Sequence, residues 1–305
     1  MHPAFSILFF TTLAGAAQGL LVALALAQIA GVATDGNLVL RAVGLGVALL
    51  LAGLAASFLH LGHKMRAWRA VLMWRTSWMS REVIVMPAYI ALAALWWLVL
   101  YTGSDSALAR ALPWAVVLGA LVLWYCTAMI YACLRFIQEW AHWSTVANFI
   151  LIGLASGGVL ACALAASAGE GALLAALAPW TTLATLLAAL IRWHSLRRNA
   201  ALRPVSTLQS ATGIPARKLV QKSMGMSAGA FNTREFFHGA SQLALRNVRW
   251  AFVLGLFVLP LALQLCALTS AATWPWAWAA LLQAPALIAE RWVFFAQAKH
   301  PQNLY

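Results

Sequence analysis

The chain has 305 residues, 64% of them hydrophobic and only 9% charged, with a mean hydropathy of +0.84. A soluble domain of this length would carry roughly a quarter charged residues, so water is excluded as the solvent for most of this surface and lipid must cover it. The formal net charge of +13 would suggest a nucleic-acid partner in a soluble protein, but no basic stripe interleaves with base-stacking aromatics here, and a membrane explains the charge more simply, because Lys and Arg collect in cytoplasmic loops.

A spanning helix needs about 20 mainly apolar residues. Eight stretches qualify: 5–30, 38–62, 84–102, 111–134, 146–167, 172–192, 248–268 and 274–297. The first lacks the basic flank of a secretory signal and is too long for a signal core, so it reads as a retained helix. Short turns at Gly31–Asn37, Gly103–Ser106 and Ser167–Gly171 separate several spans. The expected fold is therefore an all-α integral membrane protein: one membrane domain over 1–305, a bundle of eight transmembrane helices, with one long cytoplasmic loop at 193–247.

Charge sets the orientation. Lys64, Arg66, Arg69, Arg75 and Arg81 follow the second span, Arg135 follows the fourth, ten basic residues lie from Arg192 to Arg249, and Arg291 and Lys299 lie at the C-terminal end. Eighteen of the 20 basic residues thus share one side, against Arg41 and Arg110 on the other. The positive-inside rule places both termini in the cytoplasm.

Within the spans, Pro260 and Pro285 each remove a backbone donor and predict kinks. Gly153, Gly157 and Gly158 have the small-residue spacing that lets helices approach closely. Trp68, Trp74, Trp78, Trp140, Trp143, Trp274, Trp276 and Trp278 stand near span ends, as interfacial anchors do. Cys126, Cys133, Cys162 and Cys266 all fall in predicted spans without a CxxC or ferredoxin-type run, so they read as packing residues rather than zinc or iron–sulfur ligands. Segment 193–247 is too polar to span and too long for a turn. Its Met224, Met226, Phe231, Phe236 and Phe237 predict an ordered element resting on the bundle or on a partner.

The densest chemistry lies where the second span meets the basic loop. His60 and His63 are three apart, on one helix face, with Arg66 beyond them and Ser80-Arg81-Glu82 at the mouth of the third span. Imidazole, guanidinium and carboxylate groups at one membrane surface suit a quinone, whose carbonyl oxygens exchange protons as electrons move and whose tail needs an apolar cleft. Spacing alone still favours the plainer alternative, interfacial histidines and snorkelling arginines without a ligand. Haem competes less well: His60, His63, His142 and His194 lie near one end, and none sits well inside a span. A transporter would place ionisable groups near the midplane, and these spans hold almost none. Hydrolase and phosphate-loop motifs are missing.

The opening His2-Pro3-Ala4-Phe5-Ser6-Ile7-Leu8-Phe9-Phe10-Thr11-Thr12-Leu13 resembles the start of the DMSO reductase anchor subunit family. So do Leu59-His60-Leu61-Gly62-His63-Lys64-Met65-Arg66-Ala67 followed by Ser80-Arg81-Glu82, the end Glu290-Arg291-Trp292-Val293-Phe294-Phe295, and the tail His300-Pro301-Gln302-Asn303-Leu304-Tyr305. The family commonly carries proline or a small residue where His63-Lys64 stands, which leaves the role of His63 open.

This resemblance implies the membrane subunit of a three-subunit complex in the bacterial inner membrane. A molybdopterin catalytic subunit would perform the substrate chemistry, and a four-cluster iron–sulfur subunit would carry electrons to or from this chain. The anchor would exchange them with the quinone pool, holding neither haem nor an iron–sulfur cluster. The family's quinol-site histidine falls on His60, expected to exchange protons with the quinone. Arg66, Glu82, Tyr131 and Arg291 are the further quinone-site candidates, with Glu290 beside them, and no metal site is expected. The segment Phe-Asn-Thr-Arg-Glu-Phe-Phe-His-Gly at 231–239 is similar to anchors of sulfite-oxidising complexes, which would reduce quinone. A quinol-oxidising anchor of a DMSO-type reductase is the alternative.

Overall fold

The computed structural model describes residues 4–59, 63–203, 207–220 and 242–299. Among them lie α1 (Phe5–Ile29), α2 (Gly36–Leu59), α3 (Trp78–Thr102), α4 (Ala107–Ala132), α5 (Trp143–Ala168), α6 (Gly171–Ala201), the short α7 (Leu208–Thr212), α8 (Gln242–Phe252), α9 (Leu259–Ser270) and α10 (Trp274–Ala296). A 3-10 helix, Lys64–Met73, precedes α3, and a π-helical stretch, Val253–Val258, joins α8 to α9 in one continuous span. Eight helices are long and apolar enough to cross a membrane, as the sequence predicts.

Capping decides where several of them begin and end. Ser77 and Ser106 accept from the backbone N–H groups of Ser80 and Ala109, opening α3 and α4. Gly103 and Gly169 close α3 and α5 in the left-handed region, with φ of 62° and 75°. The Ser77 cap draws Ser80-Arg81-Glu82 into the first turns of α3, upstream of the predicted span at 84. Helix α6 also runs past its predicted end at 192. The expected loop at 193–247 is therefore helical at both margins, with 193–201 in α6 and 242–247 in α8. Leu196 and Ser195 continue the buried face of α6, which is why polar neighbours do not end it. Residues 224, 226, 231, 236 and 237 of that loop lie outside the described residues.

Hydropathy does not choose the centre of a bundle in lipid, because lipid tails are as apolar as leucine. Close approach does. Some 61% of the most apolar window of α1 and of α5 is buried, and 56% of that of α10, against 28% for α2, α3 and α6. The α1–α5 seam is backbone against backbone: a Cβ at Gly19 would collide with the Gly153 carbonyl, and a Cβ at Gly157 with the backbone of Gly19 and Leu20. Gly158 meets Thr181 of α6, where a Cβ would lie 2.7 Å from its hydroxyl. Gly157→Ala should force α1 and α5 apart and lower stability by about 1–3 kcal/mol, read as a lower melting midpoint of the detergent-solubilised protein. An unchanged midpoint would mean that the seam is not tight.

Pro260 removes a backbone donor, with a compensation that sequence does not show. It cannot donate to the carbonyl of Leu256 four residues earlier. The Gln283 side chain of α10 donates to that carbonyl instead, at 3.1 Å, beside the π-helical stretch. Two tryptophans depart from the interfacial reading. Trp140 and Trp276 are both 2% exposed, and Trp140 donates through Nε1 to the Phe294 carbonyl at 3.0 Å. Cys133 stands at the C-cap of α4 rather than inside the span, exposed together with Cys266, whereas Cys126 and Cys162 are buried.

Candidate functional site at the basic end of the bundle

The basic end gathers the start of α3, the ends of α4, α6 and α10, the start of α5 and the 3-10 helix. Arg81 ties the 3-10 segment to α3: its guanidinium donates to the carbonyls of Trp74 (2.9 Å) and Arg75 (2.8 Å) and lies 4.1 Å over the Trp78 ring. The next residue, Glu82, turns inward and is buried. The Thr127 hydroxyl of α4 donates to Glu82 Oε1. A carboxyl this deep in a helix bundle is costly without a partner, and Thr127 supplies one. At the outer edge, Trp78 and Tyr125 form an edge-to-face pair with centroids 5.3 Å apart, and Tyr125 is about half exposed.

A second polar centre joins α6 to α10. Arg192 Nε lies 2.8 Å from Glu290 Oε1, and Arg291 Nε lies 3.7 Å from Glu290 Oε2, all three side chains being buried. The shorter approach is an ion pair whose angle falls outside that of a hydrogen bond, so Arg192 Nε and Nη2 and both Glu290 oxygens lack aligned partners. Glu290 thus faces a cation from its own helix and a closer one from α6. The Arg291 guanidinium also rests 3.8 Å over the Phe149 ring.

Tyr131 lies in an aromatic cluster, its ring centroid 5.3 Å from Trp140, 5.8 Å from Phe149 and 5.4 Å from both Phe294 and Phe295. Tyr131 and Arg291 share the Phe149 ring, which stacks with the first and lies under the guanidinium of the second. Between α1, α4, α5 and α10 the bundle leaves a cavity of about 20 Å³, reached by Thr127 from one side and Arg291 from another.

The structure therefore brings Glu82, Tyr131 and Arg291 into one region. Arg66 stands apart: it is exposed on the 3-10 helix, its backbone N–H bonded to the His63 carbonyl at 3.0 Å, and among the described residues no ion pair joins it to Glu82. His63 is exposed, and His60 lies outside the described residues. Sequence reasoning missed Thr127 and Arg192, since one threonine in an apolar span and one arginine at a span end carry no local signal.

His142 and His194 also meet, with ring centroids 5.9 Å apart and Trp143 stacked beside them. His142 caps α5, its Nδ1 accepting from the Ser144 N–H at 3.3 Å. Burial, and then the nearby Arg198 and His194, hold its pKa below the ordinary histidine value. The neutral imidazole that results is the form able to accept that bond.

Residues 1–231 match the DMSO reductase anchor subunit (DmsC) family. The chain belongs to this family. It is 45% identical to a sulfite dehydrogenase subunit of Allochromatium vinosum, an alignment covering 100% of this chain and 98% of that protein. It is also 30% identical to the anaerobic dimethyl sulfoxide reductase chain YnfH of Escherichia coli, over 38% of this chain and 41% of the relative. The sequence resemblance and the eight-span expectation thus both hold. Within this family of membrane anchors, the buried carboxyl of Glu82 stands where the basic loop meets the bundle.

Proposed function

We propose that this anchor subunit passes electrons from a four-cluster iron–sulfur partner to quinone, in a complex whose molybdopterin subunit oxidises sulfite. The observation that carries the choice of sulfite is the end-to-end identity of 45% with a sulfite dehydrogenase subunit. The shorter match to a dimethyl sulfoxide reductase chain covers 38% of this chain and supports the opposite direction of flow less well.

The geometry supports a quinone on the lipid-facing side of Glu82. The cavity behind Thr127, about 20 Å³, has room for one water and not for a ring. The outer edge, with Trp78 and exposed Tyr125, offers aromatic surface at the level where a lipid-borne ring arrives. Quinone reduction takes up two electrons and two protons. Glu82, held by Thr127, is the described carboxyl best placed to carry a proton there, and His60 is the second group in this reading. Arg291 and Tyr131 balance charge and fix the helices around it rather than touch the ring.

Orientation follows the basic residues: both termini, and the surface that receives the iron–sulfur partner, face the cytoplasm in this reading. One experiment addresses function and orientation together. Sulfite added to inside-out vesicles containing the complex should reduce a quinone analogue, while intact right-side-out vesicles should respond only after permeabilisation. Equal rates in sealed vesicles of both kinds would overturn the orientation. Reduction of dye but never of quinone would overturn the electron-transfer role.

A further inference from the structure

The cavity behind Thr127 has its own chemistry. Its wall includes Thr12, Gln18, Trp124, Thr127, Ser156 and Arg291. The hydroxyls have already placed their protons: Thr12 on the Leu8 carbonyl at 2.7 Å, Ser156 on the Ile152 carbonyl at 2.8 Å, and Thr127 on Glu82. The Gln18 amide nitrogen donates to the Ala14 carbonyl at 3.0 Å, while its Oε1 finds no protein partner. Trp124 Nε1 finds none either, and these two side chains are 2% and 1% exposed. Gly153, also on the wall, leaves the indole nitrogen uncovered, since a Cβ there would stand 2.7 Å from it.

Two buried polar atoms without partners cost about 1–3 kcal/mol each, and native structures rarely leave them so. What fills this space must accept from an indole N–H and donate to an amide oxygen. A chloride would meet acceptor oxygens, and a metal ion would meet the Arg291 guanidinium. A water can accept from the one and donate to the other, and it fits the volume. We propose that the cavity binds one ordered water, held by Trp124 Nε1 and Gln18 Oε1 and hydrogen-bonded to Thr127 behind Glu82.

The site gives Glu82 a partner set that works in both of its protonation states. Ionised, Glu82 accepts the Thr127 hydroxyl proton, and the water donates to the Thr127 oxygen. Once Glu82 has taken a proton it can donate to Thr127, whose hydroxyl then turns and donates to the water oxygen. No proton leaves the network; only the direction of the bonds reverses. This use of the water rests on the quinone reading, whereas the water site rests on the cavity alone.

The test is a double-mutant cycle on the purified complex, with Gln18→Met and Trp124→Phe, read by thermal melting. A shared water predicts that each variant lowers the midpoint and that the pair together falls no further than the worse single variant. Additive losses, or a rise with either change, would overturn the site, because removing an unpartnered polar atom is neutral or stabilising. Radiolytic hydroxyl labelling of the unmodified complex is the second measurement. Internal water should oxidise Trp124 at least about tenfold faster than the equally buried Trp96. Equal slow labelling of the two would also overturn it. Neither measurement uses quinone, so failure of the water site and failure of the quinone reading remain distinct.

Discussion

Glu82→Gln is expected to lower sulfite-driven quinone reduction by about 10²-fold, the scale of a lost acid–base group, while sulfite oxidation with an artificial dye keeps its parental rate. The amide retains the shape of the carboxyl, and its oxygen can still accept from Thr127, so packing between α3 and α4 should survive. What it loses is the ability to hold a proton. His60→Ala should produce the same split between dye and quinone activities, since the proposed function has both groups serve one exchange. Thr127→Val should give a milder loss, because it removes the partner of the carboxyl and not the carboxyl itself. Parental quinone rates in Glu82→Gln would remove this residue from the reaction and leave its burial a structural feature.

The second large effect is on stability. Glu290→Gln should lower stability by about 3–5 kcal/mol, the usual consequence of leaving one member of a buried ion pair without its counter-charge. Arg192 is 2% exposed and Arg291 4%, so neither guanidinium can reach solvent when the carboxylate is gone. Much less folded protein should then accumulate in the membrane, and what remains should melt earlier. Replacing both partners, as Arg192→Met with Glu290→Leu, should recover much of the loss, because an apolar pair carries no desolvation cost. A Glu290→Gln protein that melts with the parent would show that Arg192 does not depend on this pair.

The solvent and the number of spans were legible in the sequence, as was the charge asymmetry on which the proposed orientation rests. These are one-dimensional properties. Twenty apolar residues in a row can only be buried in lipid as helix, and the concentration of basic residues in alternate loops needs no contacts to be read. The sequence also carried the family, through motifs at both ends, and marked Gly153 and Gly157 as places where helices meet and Pro260 as a place where a backbone donor is lost. Tertiary structure alone decided the rest. In a bilayer every face of a helix is apolar, so no periodicity reveals that α1, α5 and α10 form the centre while α2 and α3 face lipid. Trp140 reads as an interfacial anchor until the chain between α4 and α5 folds it under Phe294. Glu82 gains its partner from a threonine 45 positions away and Arg192 gains Glu290 from another helix. Gln18 and Trp124 become a site only when α1 and α4 bring them to one cavity wall. Such pairings depend on how the helices are rotated and on how deep each residue sits, and small residues at the seams set both.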